Sequence, residues 1–294
     1  MGGLDRRPGG VRVWPIAYRA HDGARRAAYV LLPSWYGPRR NPSIPLVISP
    51  HGRGVDGRSN ARLWGRLPAV GHFAVVNPDG EGRRLPLYSW GAAGQVSDLA
   101  RMGQVVHRAL PWLRITPDRI YGVGSSMGGQ ETLLLVARRP RLLAGAAVFD
   151  APTDLALQYR DFPRLPCNAT CLRQWRRPIG PSLQKLARVE VGGTPATAPR
   201  AYARRSPRTY VGAIAASGVP LQLWWSSADR IVGDVRRQEV AFARALRRRG
   251  LRAPLDTVVG SWTHDVGMRV NLPAALRRFG LLRPLPAFAQ QRSP

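Results

Sequence analysis

Lysine is almost missing from this 294-residue chain. Lys185 is the only one, and the other 44 of its 45 basic residues are arginine. Acidic residues are also few, 17 in all, which leaves a formal net charge of +28. A field of that sign attracts nucleic acid, anionic lipid and other polyanions. The arginines, however, are scattered, with only short clusters such as Arg247, Arg248 and Arg249. A dedicated nucleic-acid binder concentrates its charge in a patch or stripe. GC-rich coding accounts for the composition, so nonspecific anion affinity is expected and a dedicated nucleic-acid partner is not.

Cysteine is scarce too. Cys167 and Cys171 are the only two, and no histidine stands near them in the sequence. A zinc site therefore lacks its ligands. One helical turn would bring the two thiols near disulfide distance, so the pair reads either as a local disulfide of an exported protein or as two free thiols of a cytosolic one. No apolar run approaches the ~20 residues of a membrane helix, and no membrane span is expected. The opening residues, MGGLDRRPGG, lack the apolar core of a signal peptide. As given, the chain reads as cytoplasmic; an exported form already trimmed would look the same. A phosphate-cradling loop, H-E-x-x-H and EF-hand spacing are all absent, so no cofactor or metal is expected. Oligomeric state is not legible.

What is present is enough apolar material, 44% of residues, for a sizeable core. Residues 11–20 and 27–33 are rich in β-formers and flank His21-Asp22-Gly23, which predicts a hairpin. Short apolar runs at 44–50 and 73–79 read as buried strands, and 119–123, 143–150, 220–227 and 253–260 read as further strands. Helical spacing appears over 97–113, about 127–138, about 234–249 and about 265–278. Residues 153–210 interrupt this rhythm with many Pro and Arg residues and read as a cap-like insertion over the core. The expected class is α/β: a mostly parallel central sheet with helices on both faces. A single domain is expected over 11–280, with loose termini at 1–10 and 283–294.

The chemistry concentrates at three turns that end strands. Gly124-Ser125-Ser126-Met127-Gly128 matches G-x-S-x-G with Ser126 at its centre, a strand before it and a helix after it. The pattern needs small residues two before and two after the serine, because the chain must reverse sharply there. The helix that follows aims free N–H groups and the positive end of its dipole at the site, so the Met127 N–H becomes an oxyanion donor. A serine needs a base, and the base needs an acid. Of five histidines only His264 follows Ser126, on a loop after the last strand. Asp229 follows the strand before it, giving the order Ser, Asp, His. Rivals for the acid are Asp150 and Asp154, after the preceding strand. Asp234 and Asp265 read as helix caps. His51-Gly52-Arg53-Gly54 ends another strand, and its backbone is expected to supply the second oxyanion donor: Arg53 first, Gly52 or Gly54 otherwise. His51 reads as a brace for that loop.

These motifs, together with Thr116-Pro117-Asp118-Arg119-Ile120 and Asp229-Arg230-Ile231-Val232, resemble the α/β-hydrolase superfamily over about residues 11–280. Within it the chain is most similar to prolyl-oligopeptidase-like catalytic domains and to dienelactone hydrolases and feruloyl or polyhydroxybutyrate esterases. It is expected to differ from full prolyl oligopeptidases, because the 125 residues before the nucleophile are taken up by the core and leave none for a propeller, and from small esterases in its insertion. The resemblance implies a serine hydrolase acting on a small-molecule ester or a short peptide. The contrasting expectation is an inactive hydrolase fold that binds polyanions through its basic surface. Trp90, Trp175, Trp224 and Trp262 are candidates for an acyl pocket and equally for the core.

Overall fold

Val11–Arg19 (β1) and Arg25–Pro33 (β2) pair antiparallel, as the turn residues between them predict. The hairpin is held to the body of the protein by Asp98. Its buried carboxylate accepts from the His21 backbone N–H at 3.2 Å and lies 2.9 Å from the His21 ring. His21 therefore has a packing role. The computed structural model describes residues 10–80, 89–167, 169, 172–173 and 176–284. The outermost terminal residues lie outside that range, as does Trp175.

Ile44–Ile48 (β3), Ala74–Pro78 (β4), Ile115–Ser125 (β5), Gly145–Phe149 (β6), Leu221–Ser226 (β7) and Leu255–Gly260 (β8) complete an eight-stranded sheet in the order β1-β2-β4-β3-β5-β6-β7-β8. From β4 to β8 every pairing is parallel. The inner strands are buried on both faces, which is why they read as continuous apolar runs. Successive residues point to opposite sides. Leu46, Val148 and Leu223 join one core with Leu99, Leu133 and Phe242, whereas Val47, Phe149 and Trp224 join a second with Trp64, Met268 and Leu272.

The helices that cover these faces are Gly57–Arg62 (α1), Leu67–Gly71 (α2), Ala93–Ala100 (α3), Met102–Ala109 (α4), Met127–Arg138 (α5), Leu155–Asp161 (α6), Ile179–Val191 (α7), Pro199–Arg205 (α8), Val211–Ala216 (α9), Ala241–Arg248 (α10) and Gly267–Arg278 (α11). Two differ from the periodicity. The helix expected over 97–113 is two helices that meet at Arg101, whose guanidinium reaches out of line to the Arg19 carbonyl at 2.5 Å and to Asp98. The helix expected from 234 opens with a π turn at Arg236–Val240. That turn faces Gln238 inward, where its side-chain oxygen accepts from the backbone N–H groups of Thr153 and Asp154 at 3.0 and 2.8 Å.

Between β6 and β7 lie α6, α7, α8 and α9. The segment is helical where its composition suggested only irregularity. It packs onto the Trp90 turn and the start of α5 through a third apolar cluster that joins Leu155, Phe162, Ala187, Val191 and Tyr202 to Trp90 and Met127. Cys167 is disulfide-bonded. Cys171, the other cysteine of the expected pair, lies outside the described residues.

Candidate active site

Ser126 sits between β5 and α5 with φ 55° and ψ −126°, a backbone conformation that residues other than glycine rarely adopt. The surrounding structure holds it there. Its N–H donates to the Phe149 carbonyl at 2.8 Å, and its own carbonyl accepts from Gln130 at 3.0 Å, inside α5. The glycines on either side are steric requirements. A Cβ at Gly124 would fall 2.4 Å from the Gly128 carbonyl oxygen, and one at Gly128 would fall 2.4 Å from that of Pro50. The spacing of the motif is thus the spacing at which strand, helix and neighbouring loop come into backbone contact.

Across the sheet, Ser125 lies level with Phe149, and Phe149 with Trp224. The residues just past these positions share one rim, the carboxyl edge of the parallel strands, where α/β proteins bind ligands. Four adjacent strands each deliver one residue to it: Ser126 after β5, Asp150 after β6, Asp229 after β7 and His264 after β8.

Asp229 and His264 are joined. The Asp229 Oδ2 lies 2.7 Å from the His264 Nδ1, with the aspartate side chain 1% and the histidine 18% exposed. The other carboxylate oxygen, Oδ1, accepts from the backbone N–H groups of Ile231 at 2.7 Å and Val232 at 3.2 Å. The Asp229-Arg230-Ile231-Val232 turn therefore orients the carboxylate, which leaves Oδ2 for the imidazole. Burial pulls the His264 imidazole down, but the Asp229 charge, its hydrogen bond and the Asp150 charge outweigh this and hold it above its ordinary value. Its Nε2 is the nitrogen left for a proton from a hydroxyl.

Asp150, a rival for the acid by sequence, has other partners. Its Oδ1 accepts from the Ser226 backbone N–H at 2.9 Å and its Oδ2 from the Trp262 indole at 2.7 Å. Trp262 lies two residues before His264, and its carbonyl accepts from the Ser226 hydroxyl at 2.5 Å. Asp150 thus braces the histidine loop through Trp262. Burial, with the Asp229 charge beside it, pushes the Asp150 carboxyl up to about 7. Asp150, Asp229 and His264 offer three ligand atoms within 4.8 Å of one another. Each carboxylate oxygen of that set already accepts at least one N–H, an arrangement built to orient an imidazole.

The other candidates divide. Asp154 caps α6 by accepting from the Leu157 N–H at 3.0 Å, and Asp234 accepts from the Arg237 N–H at 3.2 Å. The expected cap role of Asp265 does not hold: α11 begins at Gly267, and Asp265 instead accepts from the Thr263 hydroxyl at 2.7 Å. His51 is buried, and its Nδ1 lies 2.8 Å from the Gly52 carbonyl, a brace for the loop as read. Burial pushes its imidazole down. Gly52 packs onto the serine turn, since a Cβ there would lie 3.8 Å from the Ser126 Cβ. Arg53 follows in a turn closed by the Val55 N–H and the Gly52 carbonyl at 3.5 Å, with Gly54 left-handed at φ 84°. Met127 is fully buried at the start of α5. Of the tryptophans read as candidates for an acyl pocket or the core, Trp90 and Trp224 belong to the apolar clusters and Trp262 to the brace.

Beside Asp229 lies a cavity of about 260 Å³. The insertion contributes Asp161, Arg164 and Leu165 to its wall, and the turn after β7 contributes Arg230 and Val232.

No protein-family model and no curated protein matches the sequence. Solved structures do match it. A chain described as dipeptidyl aminopeptidase IV from Bacteroides ovatus superposes with a TM-score of 0.67 at 17% identity, over 92% of this chain and 36% of that one. S-formylglutathione hydrolase from Staphylococcus aureus gives 0.62 at 17% identity, over 92% and 97% of the two chains. A ferulic acid esterase gives 0.63 at 16% identity, over 91% and 96%. The chain thus spans about a third of the first of these and nearly all of the other two. The fold is the α/β-hydrolase fold, as the sequence motifs implied.

Proposed function

We propose that this protein is a serine hydrolase that cleaves carboxylic esters through Ser126, His264 and Asp229. The observation that carries the reading is the 2.7 Å contact between Asp229 and His264 at the same rim as a serine in a strained turn. Asp229 fixes the imidazole with its proton on Nδ1. The bare Nε2 takes the Ser126 hydroxyl proton as the oxygen attacks the ester carbonyl. The resulting oxyanion accepts hydrogen bonds from the backbone N–H groups of Met127 and Arg53. The Nε2 proton then passes to the leaving alcohol, which departs. Water, deprotonated by His264 in turn, releases the acyl group from Ser126.

An ester is favoured over an amide by two neighbours of nearly equal length, one named for a thioester, S-formylglutathione, and one named as an esterase. The peptidase reading draws on the first-named neighbour and on an acylaminoacyl peptidase from Pyrococcus horikoshii at a TM-score of 0.64 and 14% identity. Initial rates on short p-nitrophenyl esters and on proline-containing peptides distinguish the two. We expect ester turnover that disappears in Ser126→Ala and peptide turnover that is much slower. Equal ester turnover in the two proteins overturns the proposal.

A further inference from the structure

Glutamate is the rarest acid in the chain, four residues in all, and the three described ones, Glu131, Glu190 and Glu239, are all buried. Glu190 is on α7, within the insertion, far in sequence from every strand end that forms the site. Its carboxylate nevertheless reaches the loop after β3. The Arg53 Nη2 donates to the Glu190 Oε1, with the glutamate side chain fully buried and the arginine 9% exposed. The Glu190 Oε2 accepts from the Ser89 backbone N–H at 3.3 Å, and the Glu190 carbonyl accepts from the Arg205 guanidinium at 3.3 Å. Arg205 also donates to the Ser89 carbonyl, and the Arg205 carbonyl accepts from Gln130 of α5 at 2.7 Å. The insertion, the Ser89 turn and the helix behind Ser126 are thus tied into one polar network that includes Arg53.

The position of Arg53 gives this network a consequence. Its neighbour Gly52 faces the serine turn, where an added Cβ would lie 3.8 Å from the Ser126 Cβ, and Gly54 takes a left-handed conformation. A turn of this kind, rich in glycine, has little of its own to hold the direction of its N–H groups. A buried, charge-assisted bond on its one long side chain supplies that hold. We propose that Glu190 is a positioning residue: through the Arg53 side chain it fixes the Gly52–Val55 turn, and with it the loop N–H aimed at the oxyanion over Ser126. The insertion then belongs to the reaction centre as well as to the pocket wall. This rests on the assignment of Ser126 as nucleophile given above.

The test is a double-mutant cycle of Glu190→Gln and Arg53→Gln on p-nitrophenyl ester hydrolysis, with fluorophosphonate labelling rates measured in parallel. Losing one oxyanion donor outright costs about 10²–10³ in kcat, and a donor left in place but loosened costs less. We expect each single variant to lose roughly tenfold in kcat and in labelling rate, with KM changed less than twofold. The double variant should be no worse than the worse single one. Wild-type kcat in Glu190→Gln overturns the proposal, and so do losses that multiply in the double variant. Should Glu190→Gln melt below the assay temperature, Arg53→Lys keeps the charge and changes its reach. An intermediate loss of kcat is expected there, and wild-type kcat overturns the proposal. Labelling of the wild type separates the two levels. No adduct on Ser126 overturns the nucleophile assignment and this inference together, whereas an adduct that forms equally fast in Glu190→Gln overturns this inference alone.

Discussion

Asp229 and His264 are 35 residues apart in the chain, yet the carboxylate Oδ2 and the imidazole Nδ1 lie 2.7 Å apart. Both sit on loops that leave neighbouring parallel strands at one edge, so the pairing follows from the register of β7 with β8. The Ile231 and Val232 N–H groups, which donate to the other carboxylate oxygen, make it directional.

Replacing Asp229 with Asn keeps the shape and removes the charge. The amide can present its N–H₂ to the imidazole and so favour the wrong tautomer. Loss of kcat by about 10⁴ is expected, with the fold retained. Steady-state ester kinetics, with circular dichroism to check folding, measure it; a loss of less than tenfold would assign the orienting role elsewhere.

Activity should follow the ionisation of His264, which acts as a base only when neutral. Its pKa is raised, with the Asp229 and Asp150 charges overcoming burial. In wild type the acid limb of kcat/KM should therefore lie above the ordinary histidine value near 6.5, and activity should rise as pH climbs through it. In Asp229→Asn the limb should move to lower pH. A pH–rate profile of both proteins checks the direction.

Asp150 leads to a stability prediction of definite sign. Its carboxyl is raised to about 7 by burial and by the Asp229 charge. The unfolded chain would ionise it near 3.9. Between about pH 4 and 7 the folded state therefore holds a proton that the unfolded state has released, and this group's contribution to stability falls as pH rises through that window. Asn does not titrate. Urea unfolding at pH 5 and pH 8 should show wild type losing stability relative to Asp150→Asn between the two; an unchanged difference would mean that Asp150 does not titrate in that range.

Gly128→Ala tests the serine turn itself. The added methyl would lie 2.4 Å from the Pro50 carbonyl oxygen. A Cβ is fixed to its own backbone and would meet a backbone carbonyl here, so the loop after β3 or the start of α5 must shift. A stability loss of roughly 1–3 kcal/mol by chemical denaturation is expected, together with a fall in kcat as Ser126 leaves its position.

Much of this site could be read from the chain because its main parts are local. G-x-S-x-G, the Asp-Arg-Ile-Val turn and a histidine after the last strand each state their geometry in a few residues, and chain order links them. The contacts that sequence missed are tertiary. Asp150 was legible as a candidate acid, but nothing near it in sequence points to the Trp262 indole 112 residues away. Glu190 lies in a segment whose composition gave no regular elements, and its partner is 137 residues distant. The scarcity of glutamate was the one available signal. The break at Arg101 and the π turn before α10 have the same origin: side chains drawn to distant partners override a periodicity that would otherwise continue. Asp265 shows the reverse, since a residue with cap chemistry found a closer donor in Thr263.

Ser126, His264 and Asp229 acting as one unit is the claim on which the functional account depends. A fluorophosphonate probe followed by peptide mass mapping tests it most directly. One adduct per chain on the peptide that contains Ser126, lost in His264→Ala and strongly slowed in Asp229→Asn, is the predicted result. A folded wild-type protein that takes up no probe, or that takes it up equally well without the His264 imidazole, contradicts it.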